Sequence, residues 1–251
     1  MKTWRGLSLF SGIGGLDLAF EWAGGKVIAM CEIQPYCQKI LRKHWPNVPL
    51  FDDIKKLRGE NVGTVDVIYG GFPCQPFSVV GKQRGKDDSR YLWPEFSRLV
   101  GEIKPSWIVA ENVAGILRIA ADDVCSDLES QGYEVGIFDY EAAAVGAKHR
   151  RERVFFVANS SSSRSSQTGK SGSFGTPLSK REFLKSSGSG STFSAEFLSD
   201  SWKSEPRMDR VVDGIPHRLD RLKALGNAVV PQQVYPIFKA IFEAENEIQK
   251  K

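Results

Sequence analysis

The chain predicts an α/β fold, a sheet with helices on both faces, and three observations carry that expectation. Short apolar runs alternate with helix-period stretches through residue 158. Those runs break into glycine- and proline-rich turns, at residues 11–15 and 70–76. Polar and acidic residues gather just past the ends of the runs, where sheets of this class bind ligands.

The elements follow in order. Residues 7–10 form a strand that ends in a glycine turn, and 16–22 are apolar at helical spacing. Residues 27–31 read as a second strand and 36–44 as a helix. A third strand over 65–69 runs into Gly70 and Gly71, followed by a helix over 89–103. Residues 107–110 are a fourth strand, 116–130 a helix, 134–140 extended and 154–158 a last apolar strand. Composition then shifts: residues 160–204 hold seventeen serines and five glycines among 45 positions, too few apolar anchors for a core of their own. Periodic sequence resumes beyond, mixed over 219–226 and amphipathic over 234–248. The expected organisation is a catalytic and cofactor-binding domain at 1–158, a short serine-rich region at 159–205, and a segment at 206–251 that returns to the first domain.

Composition narrows the function classes. The 251 residues are 41% hydrophobic and 25% charged, and no apolar run is long enough to span a bilayer. The first residues lack the layout of a secretory signal, so a cytoplasmic protein is expected. Cys31, Cys37, Cys74 and Cys125 fit neither a metal clip nor a disulfide framework. No metal is expected. The net charge of +4 is compatible with nucleic acid. Its basic residues cluster at 82–90, 148–153 and 207–223, and each cluster taken alone suits a solvated face equally well.

Five segments carry chemistry. LSLFSGIGGL, residues 7–16, joins a strand to a helix through Gly12, Gly14 and Gly15, which admit a ligand close to backbone N–H groups. It is neither GxGxxG nor a phosphate-binding P-loop. Glu32 ends the second strand, where a carboxylate suits either a ribose or plain solvent. GGFPCQPFS, residues 70–78, sets Cys74 between Pro73 and Pro76 in a loop, a place for a nucleophile rather than a core thiol. ENV, residues 111–113, puts Glu111 on the same rim; the rival reading is a residue at a helix start. HRRER, residues 149–153, aims Arg151 and Arg153 the same way if it begins a strand, though a surface basic patch would look alike.

FSGIGG, GGFPCQPFS, ENV, RRER and ALGNAVVPQ, in that order, closely resemble the cytosine-5 DNA methyltransferases over about residues 4–158 and 206–242. The resemblance implies a Rossmann-like fold dependent on S-adenosylmethionine (AdoMet), double-stranded DNA as partner and substrate, and a monomer. A cognate restriction endonuclease would accompany a restriction-modification role. It also implies residue roles. Cys74 resembles the nucleophile that attacks cytosine carbon 6, and Glu111 the acid that holds ring nitrogen 3 and exocyclic nitrogen 4. Arg151 resembles the arginine on the ring oxygen, with Arg153 supporting it. Phe10, Gly12, Ile13 and Gly14 resemble the AdoMet loop, Glu32 the ribose ligand, and Asp53, with Asp52 as rival, the adenine ligand. Asn227 and Ala228 resemble the segment that closes the cofactor pocket, and 82–90 the lid over DNA. Two departures stand out: His149 replaces the usual glutamine, and the small, irregular target-recognition region at 159–205 is short and serine-rich. Alternatives are the same chemistry on tRNA, a catalytically silent DNA-binding homologue, and a Rossmann-like oxidoreductase.

Overall fold

The computed structural model describes residues 2–73, 91–160 and 218–248. Seven strands form one sheet: β1 (Arg5–Leu9), β2 (Lys26–Cys31), β3 (Leu50–Phe51), β4 (Val67–Gly71), β5 (Trp107–Asn112), β6 (Tyr133–Glu141) and β7 (Glu152–Ser160). Their order is β3-β2-β1-β4-β5-β7-β6. The first five run parallel, while β7 inserts antiparallel between β5 and β6. The β6–β7 hairpin therefore delivers the start of β7 to the same rim as the ends of the parallel strands.

Strand alternation builds two apolar layers. Leu7, Leu9, Ile68, Ile108, Ala110 and Phe156 face one side, beneath α3 (Trp93–Ile103) and α4 (Ala121–Ser130). Val27, Met30, Val67, Tyr69, Val109 and Phe155 face the other, beneath α1 (Gly15–Trp22), α2 (Pro35–His44) and α6 (Pro231–Ile248). Every residue of β5 is buried, as a strand covered on both faces requires. Phe20 of α1 packs on Tyr69, Phe238 and Phe242, and Trp4 stacks on Phe242 at 5.2 Å. The last helix thus completes the layer that the first strand begins.

Local chemistry sets the helix ends. Gly14 caps α1 with φ of 90°, and a side chain there would strike the Trp45 ring at 2.4 Å. α3 opens at Trp93–Pro94 and stops at Lys104, whose φ is 52°, with Pro105 next.

Several expectations need correction. The third strand, expected over 65–69, runs instead from Val67 to Gly71 and takes in both glycines. The stretch from 116 splits into a 3-10 turn (Ala114–Arg118) and α4, because Ala120, with φ of −148°, lies outside helical geometry between them. The mixed stretch at 219–226 is the helix α5 (Arg218–Asn227), and α6 begins at Pro231 rather than at 234, proline being favoured in a first turn. The helix expected from 89 starts at Trp93; Tyr91 and Leu92 before it belong to no regular element. No described helix is long and apolar enough to cross a membrane.

Candidate functional site

The rim where β1, β2, β4 and β5 end gathers most of the candidate residues. At its β1–β2 corner, Phe10 leaves the strand with φ of 54°, a costly value for a non-glycine residue, and Gly12 follows at 57°. Glu32 organises this turn. Its carboxylate accepts the Gly12 and Gln34 N–H groups, each at 2.7 Å, while its carbonyl accepts the Gln38 amide. Glu32 is only 7% exposed, so the solvent-facing alternative does not apply. Ile33 beside it is 62% exposed, an apolar face turned outward at a polar corner. Sequence reasoning passed over Ile33; the signal was an isoleucine directly after Glu32.

Asp52 and Asp53 stand near the same corner. Asp53 accepts the Lys55 N–H at 2.9 Å and is half-buried, whereas Asp52 is exposed. Burial, then the carboxylates of Glu32, Asp53 and Asp52, push the Cys31 thiol up to about 12. The loop after them is pinned by Arg98, which donates to the Ile54 and Leu57 carbonyls at 2.9 and 3.0 Å.

The β4–β5 corner holds Glu111, 8% exposed and ion-paired to Arg153 at 2.8 Å. Burial raises its carboxyl above the usual range, opposed by the charges of Arg153 and Arg151. Gly71 lies opposite Glu111 in the ladder, and a β-carbon there would meet the Glu111 Oε2 at 2.6 Å. Asn112 donates to the Phe72 carbonyl at 3.1 Å and accepts the Val113 N–H, fixing the chain just before Pro73. Asn112 went unsingled in the sequence because its partner is 40 residues away. Cys74 and residues 82–90, like the serine-rich stretch from 161 on, lie outside the described residues.

Arg151 and Arg153 diverge. Arg153 joins Glu111, but the Arg151 guanidinium donates to the carbonyls of Gly226, at 3.1 Å, and Ala228. Burial and the Arg153 charge lower the Arg151 pKa, with Glu111 opposing. Residues Asn227 and Ala228 reach the glycine turn through their neighbour: a β-carbon on Gly15 would meet the Val229 carbonyl at 2.5 Å. Ile13, half-buried, completes that turn.

Under the turn, Asp17 is fully buried. One of its oxygens accepts the Tyr69 hydroxyl at 3.1 Å, the other has no partner, and burial pushes it up to about 7. Among the described residues no cluster of His, Cys, Asp and Glu could hold a metal ion. An apolar cavity of about 130 Å³ opens beside Trp107, Phe138 and Ile241. It sits at the opposite end of β5 from Glu111, away from the charged groups of the rim.

A family model described as C-5 cytosine-specific DNA methylase matches residues 4–216. Type II methyltransferase M.NgoMIV of Neisseria gonorrhoeae is 37% identical over 157 residues, covering 61% of this chain and 50% of the relative. M.FnuDI of Fusobacterium nucleatum is 38% identical over 156 residues, covering 60% and 45%. M.AquIA of Picosynechococcus sp. is 34% identical over 175 residues, covering 61% and 71%. The chain thus spans about half the length of the first two curated relatives. Among solved structures, a prophage-encoded E. coli protein assigned as a DNA modification methyltransferase superposes with a TM-score of 0.56 at 30% identity, over 64% of this chain and 47% of that one. Spodoptera frugiperda DNMT2, at 24% identity and a TM-score of 0.55 over 63% and 50%, shares the fold.

Proposed function

This chain belongs to the C-5 cytosine-specific DNA methylase family, and on that premise we propose that it is an AdoMet-dependent DNA (cytosine-5)-methyltransferase. The observation that carries the proposal is the buried Glu111–Arg153 pair on β5 and β7, set beside the Gly71–Phe72 strand end that leads to Cys74. A carboxyl raised by burial and steered by a guanidinium suits a group that protonates or hydrogen-bonds a ring nitrogen.

The mechanism follows from these residues. The target cytosine leaves the stack at a cost of about a few kcal/mol, because its ring is inaccessible in a duplex. The Cys74 thiolate adds to carbon 6 while Glu111 holds ring nitrogen 3 and exocyclic nitrogen 4, and electron density moves to carbon 5. AdoMet, when bound, supplies an electrophilic methyl group. Once carbon 5 carries the methyl group, its proton passes to a base such as water, the Cys74 thiolate is expelled and the ring is restored. Cys31, Cys37 and Cys125 make poor rivals, since burial pushes their thiols up to about 12, 11 and 11. Arg153, already at Glu111, is better supported than Arg151 as the contact to the ring oxygen.

The β1–β2 corner fits AdoMet. Glu32 is held at the rim by two N–H groups and keeps lone pairs for ribose hydroxyls. Ile33 offers an apolar face to the adenine, and Asp53 or Asp52 an acceptor for its amino group. Phe10, Gly12, Ile13 and Gly14 supply the close backbone, with Asn227 and Ala228 at its far wall. We assign DNA reading to 159–205, phosphate contact to 82–90, and a restriction endonuclease as the partner of a paired system.

DNA carrying 5-fluorocytosine tests the reading. It should form an AdoMet-dependent adduct that survives denaturation and maps to Cys74. An adduct on another cysteine, trapping by 5-fluorocytosine tRNA alone, or no adduct despite AdoMet binding would overturn it.

A further inference from the structure

We propose that Arg151 is a positioning residue, a strut between the cofactor pocket and the catalytic carboxyl, and that Gln233 is its anchor. The inference rests on the methyltransferase reading above and assigns Arg151 a task other than touching the base.

The side chain of Arg151 is committed elsewhere. Its Nη2 bridges the carbonyls of Gly226 and Ala228, in the connection between α5 and α6. Its Nε is buried with no acceptor, and the ion pair at the catalytic carboxyl belongs to Arg153. An arginine placed to grip a carboxylate would present its fork to that carboxylate. This one spends its donors on backbone 75 and 77 residues along the chain.

The backbone of Arg151 is clamped as firmly. Its φ is 33°, a conformation that persists only when surrounding contacts enforce it. Its carbonyl accepts the Gln233 amide at 3.1 Å and the Ala142 N–H at 3.3 Å. Gln233 is fully buried in the first turn of α6, and the same amide donates to the Tyr140 carbonyl at 2.7 Å. It ties together the two sides of the β6–β7 connection.

Both ends of the strut meet working parts. One residue past Ala228, the Val229 carbonyl fills the space a Gly15 side chain would need, so the 226–229 segment walls the glycine turn. Two residues past Arg151, within β7, Arg153 holds Glu111. A displacement of 226–229 by a cofactor in the turn is therefore passed through Arg151 to the carboxyl that meets the cytosine. By linkage, the base-side geometry feeds back on cofactor affinity by the same factor.

Calorimetry of AdoMet binding without DNA, with hydrogen exchange at the amides of 226–230, tests this. Arg151→Met and Gln233→Met should each weaken AdoMet binding by about tenfold and speed that exchange by about tenfold without ligand. Arg151→Lys, which keeps a donor for the carbonyls, should recover part of both. Arg153→Met should leave AdoMet affinity within about twofold while abolishing methyl transfer. Unchanged exchange in Arg151→Met overturns the strut, as does wild-type AdoMet affinity with only the turnover lost. Equal loss of AdoMet affinity in Arg153→Met overturns it too. If Arg151→Met fails to fold, Arg151→Lys and Gln233→Met carry the same tests. If the wild-type protein binds no AdoMet, the methyltransferase reading fails, and the exchange experiment still decides the strut.

Discussion

Glu32 and Glu111 are almost equally buried, at 7% and 8% exposure, on one rim of one sheet, yet they are held in opposite ways. Glu32 is fixed by backbone N–H groups within 20 residues of it and has no cation among its hydrogen-bond partners. Glu111 is fixed by a guanidinium from a strand 42 residues on, and burial still raises its carboxyl. Backbone dipoles make a rigid anionic acceptor, which suits holding hydroxyl groups. A counter-ion in a dry corner makes a carboxyl whose proton affinity is poised, which suits chemistry. Equal burial therefore says little about role; the nature and sequence distance of the partner say more.

The contrast breaks first at the reacting end. Glu111→Gln should lower methyl transfer by about 10²–10⁴-fold, and Cys74→Ser should abolish it, with AdoMet affinity nearly unchanged in both. Tritium transfer from labelled AdoMet, read beside calorimetry, decides; robust turnover in Cys74→Ser would remove the nucleophile from the scheme.

Asp17 is the control, a buried carboxyl that accepts from the Tyr69 hydroxyl, has no arginine partner among the described residues, and is pushed up to about 7 from a usual 3.8. The folded protein binds its proton more tightly than the unfolded chain does. Its contribution to stability is thus full below about 4 and is lost as pH rises to about 7. Asp17→Asn, which can still accept from Tyr69, should gain on the wild type by about 2–3 kcal/mol between pH 5 and pH 8. Urea unfolding at the two pH values gives the answer, and a pH-independent difference would contradict the account.

Smaller effects sharpen the contrast. Glu32→Ala should weaken AdoMet binding by about 1–3 kcal/mol and leave DNA affinity in its absence untouched. Unchanged calorimetry would return Glu32 to a purely structural part, holding Gly12. Gly71→Ala should cost about 1 kcal/mol of stability, because its methyl group meets Oε2 of Glu111. It should also slow transfer more than it weakens AdoMet binding. The reverse order would separate Gly71 from the catalytic corner.

Much of this was legible in the sequence. Six of the seven strands, the glycine turn, and Glu32 and Glu111 at strand ends follow from local pattern, since period and punctuation are local properties; β3, only two residues long, leaves no such pattern. The antiparallel insertion of β7 was not legible, because strand order is fixed by packing between distant segments. For the same reason, spacing aimed Arg151 and Arg153 one way but could not say that Gly226 and Ala228 would claim the first. Asn112 and Gln233 escaped notice because each acts on a remote carbonyl. The helix over Arg218–Asn227 was obscured by weak amphipathicity. Cys74, the strongest single signal in the sequence, falls outside the described residues.

The stacking of Trp4 on Phe242 has a consequence for how the molecule comes into being. Synthesis proceeds from the N-terminus, so β1 and α1 emerge with Trp4 and Phe20 uncovered, and their cover arrives only with Phe238 and Phe242 of α6. The 226–229 wall of the glycine turn is made equally late. A nascent chain therefore carries an unwalled glycine turn and a bare aromatic face until α6 is made, a window in which it is open to aggregation.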